Sequence, residues 1–481
     1  MTAEVLMPQQ RGAGIALRRG IVLVAMTVFI PGSAQLAAGN RILGKIATRV
    51  WLAIIGLLLV AVAAFFVNRN FLVSLYANTI TLNVLSWGIA ILGAGWAFLA
   101  FDAWRIANPA VMSGVGRIVS GVITFAVVFA LCFGAFNGRT IFAAQAGLVD
   151  TVFTGEKKAE VVDGRYNILL LGSDSATDRD GARMDTIMVA SLDAATGRTI
   201  LFGLPRNMQR VPFPKTSPLN SKYPNGYWCQ SQECMLNAVY TEAESNAKLF
   251  AGVKNPGIEA TRGAVSEVLG LEIHYWAIVD MAGFEKLIDA VGGIRLDIGK
   301  RIPMGSEKGR RGVFGWIEPG KNVLLDGKNA LWFARSREYS SDYERMERQK
   351  CVMNAMLKQL SPTTVLTKFE AIADAGKHVA ATDMPASEIA NMLDLGLKMQ
   401  RLPMASVSFV PPLIQPANPD FDLIRQVVAD EIALAEQKDE EAAKGQNPSP
   451  DASTPEPSTT PTTPKPQSNA KSLDSVCKVS K

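Results

Sequence analysis

Histidine is nearly absent: the 481-residue chain holds only His274 and His378. That scarcity excludes a multi-histidine metal centre and leaves little room for a Ser-His-Asp or Cys-His relay. A large charge of one sign is also missing, since 49 basic and 44 acidic residues leave a net +5, too mild for a nucleic-acid binder. No small-residue cleavage site follows a short apolar run near the amino terminus, so a cleavable signal peptide is not expected. Apolar helices would then serve as the export signal.

Such helices are present. The runs at 49–67, 79–101 and 118–136 each approach the roughly 20 apolar residues that cross a bilayer. An earlier run at 20–39 is interrupted by Pro31 and Gly32 and followed by Ser33 and Gln35. Charge decides between three spans and four. With three, Arg11, Arg18, Arg19, Arg41, Lys45 and Arg49 share a side with Arg105 and Arg117, while the opposite short loop has only Arg69. The positive-inside rule makes the first group cytoplasmic and everything after residue 137 external. The expected organisation is a cytoplasmic region 1–49 with an interfacial or re-entrant segment, three transmembrane helices within 50–136, and a stalk over 137–163. A multi-pass membrane protein with an external domain over 164–435 follows.

Cysteine usage suits that topology. Cys132 falls within the third span, where a small packed side chain is expected, and Cys229, Cys234, Cys351 and Cys477 all fall in the external part. Four thiols in an oxidising compartment permit two disulfides with three possible connectivities.

In the external part, buried-strand patterns at 165–175, 184–193, 198–207, 273–281 and 294–298 alternate with helical spacing near 234–250, 258–269, 281–291 and 342–360. The alternation predicts an α/β domain with a central mixed sheet covered by helices on both faces. Residues 436–471, rich in Pro, Ser and Thr, bury too little to offset their chain entropy and are expected to form a disordered tether. The tail 472–481 regains apolar character around Cys477.

The stretch FARSREYSSDYERMERQ (333–349) concentrates Arg335, Arg337, Arg345 and Arg348 with Asp342 and Gln349. Asp342 reads as a helix cap, Arg345, Arg348 and Gln349 as neighbours on one helix face, and Arg335 and Arg337 as same-side residues of an extended segment. Solvated pairing with Glu338, Glu344 and Glu347 is the bland alternative. A second polar set favours a site: Asp174 follows a strand, Arg183 and Asp185 start the next, and Arg206 ends the third. Carboxylates point to Mg²⁺ and arginines to a polyanion; together they point to a metal-bound phosphate ester or pyrophosphate.

These segments also carry a resemblance. NILLLGSDS, RMDTIMVASLD, GLPRN, VDMAGFEKLIDAVGGIRLDI, LDGKNALWFARSRE and DYERMERQ are similar, in order and approximate spacing, to the LytR-CpsA-Psr family, over roughly 165–360 and more weakly to about 435. The resemblance implies a membrane-anchored transferase that attaches a glycopolymer, such as teichoic acid or arabinogalactan, from a polyprenyl pyrophosphate carrier to peptidoglycan. It implies pyrophosphate contacts at Arg183, Arg206, Arg335, Arg337, Arg345, Arg348 and Gln349, and Mg²⁺ (or Mn²⁺) at Asp174 and Asp185. Arg206, Asp174, Asp185 and Arg335 would be the catalytic set. Asn207 departs from the family, where many members have Asp, so a general base there is in doubt. The same resemblance implies an apolar pocket for the lipid tail; the helix with Met281, Phe284 and Leu287 fits either that pocket or ordinary core packing. A pyrophosphate hydrolase and a noncatalytic wall-binding or signalling protein are the alternatives.

Overall fold

The computed structural model describes residues 8–155, 158–173, 183–305, 312–359, 380–443 and 470–477. The chain divides into two compact units, Met1–Asp150 and Thr151–Lys481.

The first unit is helical. Helix α1 (Pro8–Phe29) ends ahead of Pro31, Gly32 takes a left-handed turn at φ 91°, and a short α2 (Ser33–Ala38) follows, so the apolar run 20–39 is split where its Pro-Gly pair predicted a break. Then come α3 (Arg41–Val67), α4 (Arg69–Tyr76), α5 (Thr79–Ile106) and α6 (Gly114–Val152). Among the described residues, α3, α5 and α6 are long and apolar enough to cross a membrane. Leu57, Leu58, Leu59, Val60 and Phe66 stand exposed along α3, an apolar surface suited to lipid rather than water. Helix α5 meets α6 closely at Gly93, where a Cβ would lie 2.2 Å from that of Ala135. Two expectations change here. The stalk is no separate element through residue 152, because α6 runs on unbroken, and Cys132 is exposed on that helix instead of packed.

The second unit is built on a seven-stranded mixed sheet of order β11-β10-β3-β2-β1-β4-β9. Its strands are β1 (Arg165–Ser173), β2 (Met184–Asp193), β3 (Thr199–Leu204), β4 (Tyr275–Asp280), β9 (Ala380–Thr382), β10 (Ala405–Ser408) and β11 (Lys471–Ser472). β1, β2 and β3 are antiparallel neighbours, whereas β1–β4 and β3–β10 are parallel. Period-two alternation sends Leu169, Leu171, Val189, Phe202 and Leu204 into one core and Ile168, Leu170, Ala190 and Leu201 into the other, so both faces are covered. Helices α7 (Pro218–Lys222), α8 (Val239–Ser245) and α9 (Pro256–Leu269) follow β3; α10 (Met281–Val291) follows β4.

A smaller core lies beside the sheet. The strand expected at 294–298 is β5 (Ile294–Ile298), but it pairs with β8 (Gly320–Leu325) outside the main sheet, while β6 (Ile302–Met304) pairs with β7 (Gly315–Ile317). These strands pack with α10, α11 (Gly327–Arg335) and α12 (Asp342–Gln359) around Ile288, Ile294, Phe333 and Val352. Phe284 and Leu287 pack against this cluster, the core role of the two anticipated for their helix.

Helices α13 (Ile389–Met399) and α14 (Phe421–Ala443) precede the tail, which carries a last short helix α15 (Leu473–Val476). α14 carries the domain past the expected boundary at 435: Arg198 Nε lies 2.6 Å from Asp439 Oδ1, anchoring that added stretch. Most of the Pro/Ser/Thr-rich segment lies outside the described residues. Beyond it, β11 joins the sheet edge and Leu473 is buried. The pairings Cys229–Cys234 and Cys351–Cys477 select one of the three connectivities, and the second fixes the tail to α12.

Candidate functional site: an arginine–carboxylate cleft

The site forms where β2 begins, β3 ends and α12 starts. Between β1 and β2, Gly172 pairs with Thr186 but Ser173 pairs with Met184, leaving Asp185 as the extra residue of a bulge. A bulge turns a side chain out of the regular pleat, and here it presents Asp185 to the arginines. Past β3, the turn at Pro205 is fixed by Met208 N–H donating to the Pro205 carbonyl and Asn237 N–H donating to that of Arg206. Arg206 is thereby held at the same end of the sheet.

Helix α12 starts with a capping box. Ser341 Oγ accepts from Glu344 N–H and Glu344 Oε2 accepts from Ser341 N–H, so Ser341 is the cap. Asp342, expected to be that cap, is instead free to face the arginines.

The result is an alternating cluster. Arg206 Nη1 lies 2.6 Å from Asp185 Oδ1 and its Nε 3.2 Å from Asp342 Oδ2. Arg337 Nη2 lies 2.8 Å from Asp185 Oδ2, and its Nε 3.7 Å from Asp342 Oδ1. Arg345 Nε is also 3.7 Å from Asp342 Oδ1, too long for a hydrogen bond. Arg345 is only 2% exposed, and its buried Nε finds no hydrogen-bond partner among the described residues. Burial and the neighbouring Arg337 lower its pKa to about 10, which leaves it charged at neutral pH. Burial would raise the pKa of Asp185, but Arg206, Arg337 and Arg345 outweigh it and hold the carboxyl below its ordinary value. Asp342 is likewise depressed, with burial opposed by Arg345, Arg206 and Arg337. Both aspartates are therefore anions with cationic neighbours.

Beneath the cluster is a small cleft, partly open to solvent, lined by Asp185, Arg206, Arg345, Gln349 and Lys350 among others. Lys350 was not singled out from the sequence. It crosses β3 over Gly203, where a Cβ would sit 3.1 Å from the lysine Cε, and its Nζ donates to Ser408 Oγ and, at 3.4 Å, to the Val407 carbonyl. Burial lowers its pKa to about 8.

The remaining residues fall elsewhere. Asp174 lies outside the described residues, as does His378. Arg183 sits just ahead of β2 and is exposed. Arg335 closes α11 and lies over the Trp332 ring at 4.8 Å, so the same-side argument for an extended Arg335–Arg337 pair does not apply. Arg348 turns away from the cleft: its Nε donates to the Phe333 carbonyl at 2.7 Å and its Nη2 to Ser336 O and Ser340 Oγ, so it clasps the α11–α12 turn. His274 is buried and its Nδ1 accepts from Asn167 N–H, a structural role.

The donor chemistry bears on a metal. Among the described residues no three of His, Cys, Asp and Glu gather as a metal cage. Asp185 and Asp342 supply hard oxygen ligands, which suit Mg²⁺ when phosphate oxygens complete the shell.

The second unit is thus an α/β domain whose sheet ends in a buried arginine–carboxylate cluster, in a chain that also carries helices long and apolar enough to cross a membrane. The LytR_cpsA_psr family profile matches residues 144–418, and the chain belongs to that family. It is 28% identical over 230 residues to the polyisoprenyl-teichoic acid–peptidoglycan teichoic acid transferase TagU of Oceanobacillus iheyensis, covering 47% of this chain and 61% of that one. It is 26% identical over 229 residues to the regulatory protein MsrR of Staphylococcus aureus, covering 47% and 59%. The crystal structure of Bacillus subtilis TagV aligns at 20% identity and a TM-score of 0.41 over 57% of this chain and 99% of that one. The chain spans about three fifths of the length of these curated relatives.

Proposed function

We propose that the protein transfers a glycopolymer from a polyprenyl pyrophosphate carrier to peptidoglycan, with its α/β domain external to the membrane. The observation that carries this reading is Arg345, a buried guanidinium whose Nε lacks a hydrogen-bond partner among the described residues, set beside Arg206 and Arg337 over an open cleft. A buried donor of this kind calls for an acceptor, and a pyrophosphate supplies several. Family membership and the activity for which TagU is named support the same substrate class.

In the reaction, a peptidoglycan sugar hydroxyl attacks the sugar-side phosphorus. A new O–P bond forms, the bond to the bridging oxygen breaks, and polyprenyl phosphate departs with the electron pair. Arg206, Arg337 and Arg345 hold the phosphoryl oxygens and offset the charge that grows on the leaving group. Gln349 lines the same cleft and orients the donor. The acceptor's proton leaves with the departing phosphate, since Asn207 has no basic group and both oxygens of Asp185 pair with arginines that hold its pKa low. Mg²⁺ or Mn²⁺ held by Asp185, with Asp174 or Asp342, would supply further charge neutralisation.

The test is transfer of a radiolabelled lipid-linked glycan to peptidoglycan oligomers by the full chain in detergent with Mg²⁺, beside Arg206→Ala. Label on peptidoglycan, lost in the variant, is expected. Release of free phosphorylated glycan in its place would make the protein a hydrolase, and no turnover of a competent donor would favour a binding or signalling role.

A further inference from the structure

Outside the cleft, the small β6–β7 sheet and the segment leading into it carry two exposed aromatic rings, and α11 adds a third, Trp332, partly buried against the smaller core. Phe314 is 60% exposed and Trp316 37% exposed. Two residues apart along an extended segment, they point to the same side. Phe314 meets the Trp332 ring edge-on, with centroids 5.6 Å apart. Each ring has a cation beside it: Arg301 lies 4.2 Å from the Trp316 centroid, Lys328 5.3 Å from that of Phe314, and Arg335 4.8 Å from that of Trp332. Glu318 pairs with Arg301, but at an exposed position where such a pair is readily exchanged. Ser336 Oγ donates to the Pro303 carbonyl, tying β6 to the segment that carries Arg337 into the cleft. Arg335, the last cation of the strip, closes α11 two residues before Arg337 of the cluster.

Flat rings flanked by cations fit a partner with flat apolar faces and scattered negative charge. Sugar rings present such C–H faces, and a polysaccharide substituted with carboxylates supplies the charge. In the proposed reaction a lipid-linked donor is held at its pyrophosphate by the arginines and by its tail to the membrane. The acceptor has neither anchor and needs a surface of its own. We propose that the strip Arg301–Trp316–Phe314–Trp332–Arg335 is the docking surface for the acceptor, a peptidoglycan strand whose sugars stack on the rings and whose stem-peptide carboxylates meet the cations. This assignment rests on the transferase reading for its choice of partner.

The experiment is co-sedimentation of the detergent-solubilised full chain with purified peptidoglycan sacculi, comparing wild type, Phe314→Ala/Trp316→Ala, Arg301→Ala/Lys328→Ala and Arg206→Ala. Thermal melting checks that each variant is folded. Both strip variants should bind sacculi on the order of tenfold more weakly, as interface hot spots do on truncation, while Arg206→Ala binds normally. Undiminished binding by both folded strip variants overturns the proposal. So does weakened binding of the lipid-linked donor with unchanged binding of sacculi, which would give the strip to the donor. Strip-dependent binding by a chain that transfers nothing would refute the transferase reading and leave the docking surface standing.

Discussion

The two flanks of α12 treat arginine in opposite ways. On the cleft side Arg345 is buried with an unsatisfied Nε, beside carboxylates that already serve Arg206 and Arg337. On the turn side Arg348, three residues later, gives its donors to the Phe333 and Ser336 carbonyls and to Ser340. One flank keeps binding capacity in reserve; the other spends it on the fold. Arginine type and helical spacing are the same in both cases, so the difference comes from what tertiary structure sets opposite each side chain.

The sharpest way to break this comparison is to remove a cleft cation. Arg206→Ala should lower transfer on the order of 10²- to 10³-fold, the scale seen when a transition-state donor is deleted, with melting temperature changed far less. A variant that transfers normally would show that the cleft flank is structural too.

Lys350→Met tests the floor of the cleft. A lysine whose folded pKa of about 8 lies below its unfolded value of about 10.4 binds fewer protons when folded, so it penalises folding fully below pH 8 and not at all above pH 10.5. The substitution should stabilise the protein by on the order of 3 kcal/mol at pH 7, less the lost bond to Ser408, with the gain fading as pH rises through 8 to 10.5. Denaturant titration at pH 7 and pH 10 measures this, and a gain that grows with pH would contradict it.

On the turn flank, Arg348→Ala should cost about 2 kcal/mol of stability, because partly buried carbonyls lose a charged donor. Residual transfer per folded molecule should exceed that of Arg206→Ala by more than tenfold. Equal losses would merge the two flanks into one site. The smallest effect is expected at the cap: Ser341→Ala should cost about 1 kcal/mol by loosening the first turn of α12.

Much of this was legible in the residues. Apolar runs located β1, β2, β3 and β4, and the Arg/Asp clusters pointed to the strand ends and α12. Arg345, Arg337, Arg206 and Asp185 do converge, although their spacing along the chain allows a solvated face equally well. The position of Ser341 ahead of Glu344 was a readable capping box that would have released Asp342 from the cap and offered it to the cleft. Other features had no local signal. Arg348 depends on carbonyls brought near by the α11–α12 turn, and Lys350 on Gly203 leaving room across β3. The pattern of β5 marks a strand without naming its partner, so its departure from the main sheet could not be read. The aromatic strip joins residues 301, 314, 316, 332 and 335 only once β6 and β7 pair beside α11.

The most direct test of the central claim is equilibrium binding of the full chain to polyprenyl pyrophosphate and to polyprenyl monophosphate, in wild type and Arg206→Ala. The arginine cleft predicts at least tenfold tighter binding of the pyrophosphate, with that preference abolished in the variant. Equal affinity for the two lipids, or a preference that survives Arg206→Ala, would contradict it.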